Sequence, residues 1–183
     1  ALFAYLVRTQ QIHLTVWLFV VRRQLLLDHQ IYFPIRLIGE DFYWHFELWQ
    51  HLRTVKMLNL NLYAYCHRQG SETTRKNLLA PYLDYDKIFT YWKSQCQQDC
   101  NCAEPILGFM ADLWINRGYR FYTLKNNEKP KALDILRRHT DLLEYATTPR
   151  GMRVAKLLRF AGLRITVFAL GIYWRLRSRI KGN

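Results

Sequence analysis

The sequence predicts an α/β unit over residues 1–75 followed by a mainly helical extension. Three observations carry that expectation: two apolar stretches with strand character, a short amphipathic helix between them, and prolines that space out helical segments further on. Thr15 to Arg22, TVWLFVVR, is rich in β-branched and aromatic residues and predicts a buried strand. Arg23 to His29 then predicts a short helical turn. Glu40 to Arg53 sets Phe42, Phe46 and Trp49 at i, i+4 and i+7, one apolar face of a helix, with Gly39 just ahead of it. In Val55 to Tyr65, Leu58, Leu60 and Leu62 alternate with Asn59 and Asn61, the period of a half-buried strand. After Thr73 the strand signals fade. Pro81, Pro105, Pro130 and Pro149 predict helices over 84–98, 104–117, 130–146 and 150–180.

Composition bounds the function classes. A chain of 183 residues, 50% hydrophobic and 15% aromatic, is long and apolar enough for one domain with a core, which excludes a disordered or low-complexity protein. The net charge of +13 is uneven: nine bases and no acid follow from Arg150 onward, leaving +4 for residues 1–149. A surface basic throughout, as a dedicated nucleic-acid binder needs, is not present, and no nucleic-acid partner is expected. The longest apolar runs, Leu14 to Val21 and Ile165 to Trp174, fall short of the roughly 20 residues that span a bilayer. Ala1 to Val7 lacks a basic leader and does not predict a signal peptide. Cys96, Cys100 and Cys102, with Cys66 or His67 as a fourth ligand, have a spacing foreign to zinc pairs and iron–sulfur runs, so ordinary thiols are expected and no metal.

The informative order lies between Leu14 and Thr74. A strand bearing Val16 and Trp17 comes first, then Arg22 and Arg23, then Gly39, Glu40, Asp41 and Phe42 opening a helix. A strand ending in Tyr63, Ala64 and Tyr65 follows, then the loop His67, Arg68, Gln69, Gly70 and Ser71. Over residues 12–75 this resembles the second half of a family 2 glycosyltransferase of the GT-A type. The resemblance implies the C-terminal portion of a GT-A-like fold, with Asp41 as the catalytic base that takes the acceptor hydroxyl's proton in a single inverting displacement. It also implies that Glu40 orients the loop or touches the acceptor, that Trp17 lies near the acceptor, and that His67, Arg68 and Ser71 contact donor or acceptor. The first turn of a helix suits a carboxylate, because the dipole and the free N–H groups favour its ionised form. The same placement also describes an ordinary helix cap.

The family's nucleotide-binding half and its D-x-D motif are not found ahead of these residues. Asp84 and Asp86 have that spacing but follow the acidic pair, and they predict only a helix start on the surface. The resemblance therefore implies a fragment, inactive alone. The complete enzyme would use a nucleotide-sugar donor, a divalent cation (Mg or Mn) and a surface-glycan or lipid-linked acceptor.

Residues 76–149 are expected as the helical extension and 150–183 as a basic amphipathic helix. In that helix Val154, Leu157, Leu158, Ala161, Ile165 and Phe168 form one apolar stripe, and Tyr173 and Trp174 precede Arg175, Arg177, Arg179 and Lys181. This composition fits an anchor on an anionic membrane surface and a peripheral cytoplasmic location at the inner membrane. The rival expectations are a stripe packed on the rest of the chain, and a non-catalytic module that docks on membrane or protein.

Overall fold

The computed structural model describes residues 14–60, 62–64, 66, 78–98 and 102–181. The described residues form six α-helices: α1 (Arg23–Asp28), α2 (Glu40–His51), α3 (Ala80–Gln98), α4 (Ala103–Arg120), α5 (Lys129–Arg138) and α6 (Pro149–Lys181). Short 3-10 turns cover Val16–Leu18, Phe121–Thr123 and Thr140–Tyr145. Among the described residues no strand forms, which corrects the expected α/β, GT-A-like class to an all-helical one.

Both predicted strands fail for the same reason. A strand is completed by a neighbour that takes its backbone N–H and C=O groups, and apolar alternation specifies only the faces. Val16–Leu18 winds into a 3-10 turn between extended Thr15 and Phe19. Residues 52–60 run without regular structure, and Leu58, Leu60 and Leu62 are exposed. The predicted helices after residue 76 are present. The one expected over 130–146 stops at Arg138 and gives way to the 3-10 turn Thr140–Tyr145.

α4 is the centre of the molecule. Ile106, Met110, Ala111, Trp114 and Ile115 on it are fully buried, and α3, α6 and the turn Thr140–Tyr145 pack around it. The Trp114 indole N–H donates to the Leu136 carbonyl at 2.9 Å, fastening α5 to this core. α2 contributes Phe46 and Trp49, which meet Trp92 of α3 and Phe109 of α4 in an aromatic cluster. Burying side chains of that size contributes a large share of the apolar stabilisation. A smaller core joins Trp44 and Leu48 of α2 to Ile31, with Leu25 and Leu26 of α1 against it.

α6 is not one rod. Gly162 has φ 75° and ψ 171°, breaking the helix into a first arm, 149–161, and a second, 163–181. The break turns the chain back. Arg150 lies 5.8 Å from the Tyr119 ring and the Tyr173 ring lies 5.7 Å from the same ring, whereas a straight helix would hold residues 150 and 173 about 34 Å apart. The second arm docks closely on α4. A Cβ at Gly118 would stand 2.6 Å from Leu170, and one at Gly171 would overlap the Tyr122 ring.

The turn at Gly162 also overturns the single stripe expected along this helix. Val154 is buried and Leu157 and Leu158 are half-buried, but Ile165 and Phe168, beyond the break, are exposed. The second arm instead buries Thr166, Val167, Leu170 and Gly171. On its opposite side Ile165, Phe168, Ile172 and Leu176 form an exposed row at i, i+3, i+7 and i+11.

Candidate functional site

α2 begins where the chain is held by α3. Gly39 takes φ 95°, a conformation glycine adopts freely, and a side chain there would crowd Tyr85, Ile88 and Phe42. Its N–H donates to Glu40 Oε2 at 3.1 Å, while the Ile38 N–H donates to Asp84 Oδ2 at 3.1 Å. Glu40 therefore closes its own helix start. Asp41, next to it, is half-buried.

The helix dipole alone would lower the Asp41 pKa. Burial, and second the neighbouring Glu40 carboxylate, raise it from 3.8 to about 6. The expectation of a firmly ionised carboxylate is thus corrected to one that titrates near 6. Such a group is still mainly ionised at pH 7, and its basicity lies closer to the operating pH than that of an ordinary aspartate.

Trp17, expected near the acceptor, is 39% exposed and stacks on Tyr63 with ring centres 5.7 Å apart. It does not line the main groove. His67, Arg68 and Ser71 lie outside the described residues. Asp84 and Asp86 are not a free surface pair. Asp84 is buried, accepting from Ile38 N–H and from Lys87 Nζ at 2.8 Å. Asp86 receives Arg138 at 3.0 Å and lies 2.8 Å from the His139 ring, tying α3 to the end of α5. Both carboxylates have structural partners, so neither is available to hold a cation. Among the described residues no group of three or more His, Cys, Asp or Glu could hold a metal ion. The Cys102 thiol donates to the Trp49 carbonyl at 3.3 Å.

An open concavity lies beside these acids. A groove of about 680 Å³ runs between the α2 start, α4 and both arms of α6. That is the size of a small-molecule site. Phe42 and Tyr85 form one end, where Arg117 lies over the Tyr85 ring at 4.8 Å. Glu40, Asp41, Arg117 and Arg120 all act electrostatically on the Tyr85 hydroxyl, whose pKa is raised chiefly by burial. The acids thus stand close to this end without lining it. The other end carries Arg150, Arg177, Tyr119, Tyr173 and Trp174.

Arg117 and Arg120 close the last turn of α4, Arg150 opens α6 and Arg177 ends the groove on the second arm. Sequence reasoning missed this convergence. Arg117, Tyr119 and Arg120 sit together in the sequence, but linking them to Arg150 and Arg177 needs the reversal at Gly162. A scan against protein-family models gives no match to the chain, and neither do searches of curated proteins and of solved structures.

Proposed function

We propose that this chain provides the acceptor side of an inverting sugar transfer from a nucleotide-sugar donor to a surface-glycan or lipid-linked acceptor. The observation that supports it most is Asp41: a half-buried carboxyl at a helix start, with basicity tuned to about pH 6, beside the open groove. In this reading the acceptor O–H gives its proton to Asp41 as that oxygen bonds to the sugar's anomeric carbon. The bond from that carbon to the diphosphate breaks, and the diphosphate leaves with the electron pair. The described residues do not fit a Mg or Mn site, so no step is assigned to a cation here. Glu40 positions the Asp41 turn through the Gly39 N–H.

The test is transfer of labelled sugar by the protein as its own gene encodes it. Asp41→Asn keeps the shape but cannot take the proton, and should lower kcat by about 100-fold or more while donor binding persists. Undiminished turnover in Asp41→Asn would remove it from this role.

A second reading, a non-catalytic module on an anionic membrane surface at the inner membrane, is favoured by the exposed row Ile165, Phe168, Ile172 and Leu176 on the second arm. No described helix is long and apolar enough to cross a membrane. Under this reading the protein co-sediments with phosphatidylglycerol vesicles, and Phe168→Glu with Ile172→Glu abolishes it. Unchanged co-sedimentation of that double variant would count against the row as the contact.

A further inference from the structure

We propose that the arginine-lined groove between α4 and the two arms of α6 is a binding site for a phosphate or diphosphate ester. This goes beyond the role given to Asp41 and holds whether or not that residue accepts a proton.

Arg117, Arg120, Arg150 and Arg177 converge on a single groove of about 680 Å³. Among them only Arg150 is paired with a carboxylate in the described structure, Asp112 at 3.2 Å. Guanidinium groups do not shed their proton in proteins, so four of them lining one groove, with one carboxylate paired to them, leave an excess of positive charge that favours an anion there. Two of the four are also starved of acceptors. The Nε–H groups of Arg117 and Arg150 are buried and have no hydrogen-bond partner among the described residues. A buried donor without an acceptor is costly, so these two guanidiniums are incompletely compensated by the protein itself, which favours an anion at the nitrogens they present to the groove.

The number and type of donors narrow the ligand. A carboxylate is satisfied by one guanidinium fork, whereas a phosphate or diphosphate offers several oxygens for parallel N–H donation. The remaining lining is aromatic. Tyr119 and Tyr173 pack at 5.7 Å with their planes tilted by 30°, and Trp174 lines the groove with them, giving aromatic surface for a sugar ring or an apolar chain. The ester's organic portion could be a soluble sugar or a lipid-borne isoprenoid; the phosphoryl chemistry is common to both.

Titration calorimetry tests the site, with inorganic pyrophosphate, a sugar 1-phosphate and geranyl diphosphate as probes, in 50 and 300 mM NaCl. Pyrophosphate should bind saturably at one site, more weakly at the higher salt. Arg117→Gln with Arg120→Gln should weaken it 10-fold or more. Arg177→Gln, a change of an exposed side chain that leaves the core intact, should weaken it several-fold even if the double variant misfolds. Arg159→Gln, exposed and away from the groove, should leave it within twofold. Tighter binding of the sugar 1-phosphate identifies a soluble ligand and tighter binding of geranyl diphosphate a lipid-borne one, and either supports an ester site. Absence of saturable binding overturns the proposal, as does an equal loss in Arg159→Gln, which would mean diffuse charge attraction. Binding of neither ester more tightly than pyrophosphate overturns the part given to the aromatic faces. Asp41→Asn removes a nearby negative charge and should bind pyrophosphate at least as tightly as the parent, so loss of transfer without loss of anion binding separates the two readings.

Discussion

The first turns of α2 and the groove beside them manage buried charge in opposite ways. In those turns the ionisable groups can become neutral, and burial pushes them toward that form. Asp41 is raised to about 6, and His45, one turn further along the same helix, is lowered to about 4 because it is completely buried. Along the groove the charges are guanidinium groups, which cannot neutralise. They are accommodated by aromatic faces, by Asp112 and by the groove itself. A titratable carboxyl beside a permanently cationic groove is suited to move a proton while the groove holds an anion.

The comparison can be broken most strongly through pH. The His45 ring packs edge-on against Phe19 and Trp44, and neither ring nitrogen has a partner among the described residues. Its folded pKa lies below the unfolded value of 6.5, so its contribution is fully present above 6.5 and is lost as pH falls toward 4. The loss should reach about 3 kcal/mol. Urea unfolding midpoints between pH 7 and 4 should show it, and His45→Phe should flatten that limb. An unflattened limb would place the acid sensitivity elsewhere.

Next in size, Gly171→Val should drive a side chain into the Tyr122 ring and lift the second arm off α4, costing about 2 kcal/mol. Hydrogen exchange should rise over the second arm and not in α2. Exchange rising equally in both would mean the two regions are not independent.

A smaller effect is expected from Asp112→Asn, which weakens the hold on Arg150 and on the Thr148 hydroxyl at 3.3 Å. Stability should fall by about 1 kcal/mol in thermal melts, while pyrophosphate affinity rises because a competing carboxylate is gone.

The smallest is Asp41→Asn. A carboxyl whose folded pKa is raised contributes stability below its unfolded pKa and loses it as pH climbs through about 6. The variant should therefore exceed the parent by less than about 1 kcal/mol at pH 8, given solvent screening at a half-exposed group, and match it at pH 4. A gain at pH 4 would contradict the titration assigned to Asp41.

Much of the helical part was legible from single residues. Proline cannot donate a backbone hydrogen bond and sits at helix starts, so Pro81, Pro130 and Pro149 fall in the first turns of α3, α5 and α6. The amphipathic Phe42–Phe46–Trp49 spacing gave α2, and Gly39 marked its start. The candidate site was half legible. The place of Asp41 in a first helical turn was legible because an acidic pair ahead of an apolar helical spacing is a local pattern, whereas its raised pKa was not, since burial opposes the dipole that the local pattern suggests. The α/β expectation failed because Leu58, Leu60 and Leu62 mark two faces but name no neighbouring strand.

What the sequence alone determined is therefore local: where helices start, which of their faces are apolar, and that bases without acids crowd the region after Arg150. What only the tertiary structure decided is non-local. The turn at Gly162 brings Arg150 and Tyr173 to one tyrosine and Arg177 into the same groove as Arg117 and Arg120, and it turns half of a continuous apolar stripe out to solvent. A glycine lets the backbone take that conformation, but nothing in the neighbouring residues requires it. The close fit of Gly118 and Gly171 against Leu170 and Tyr122 places the second arm, and that packing exists only once the chain has folded.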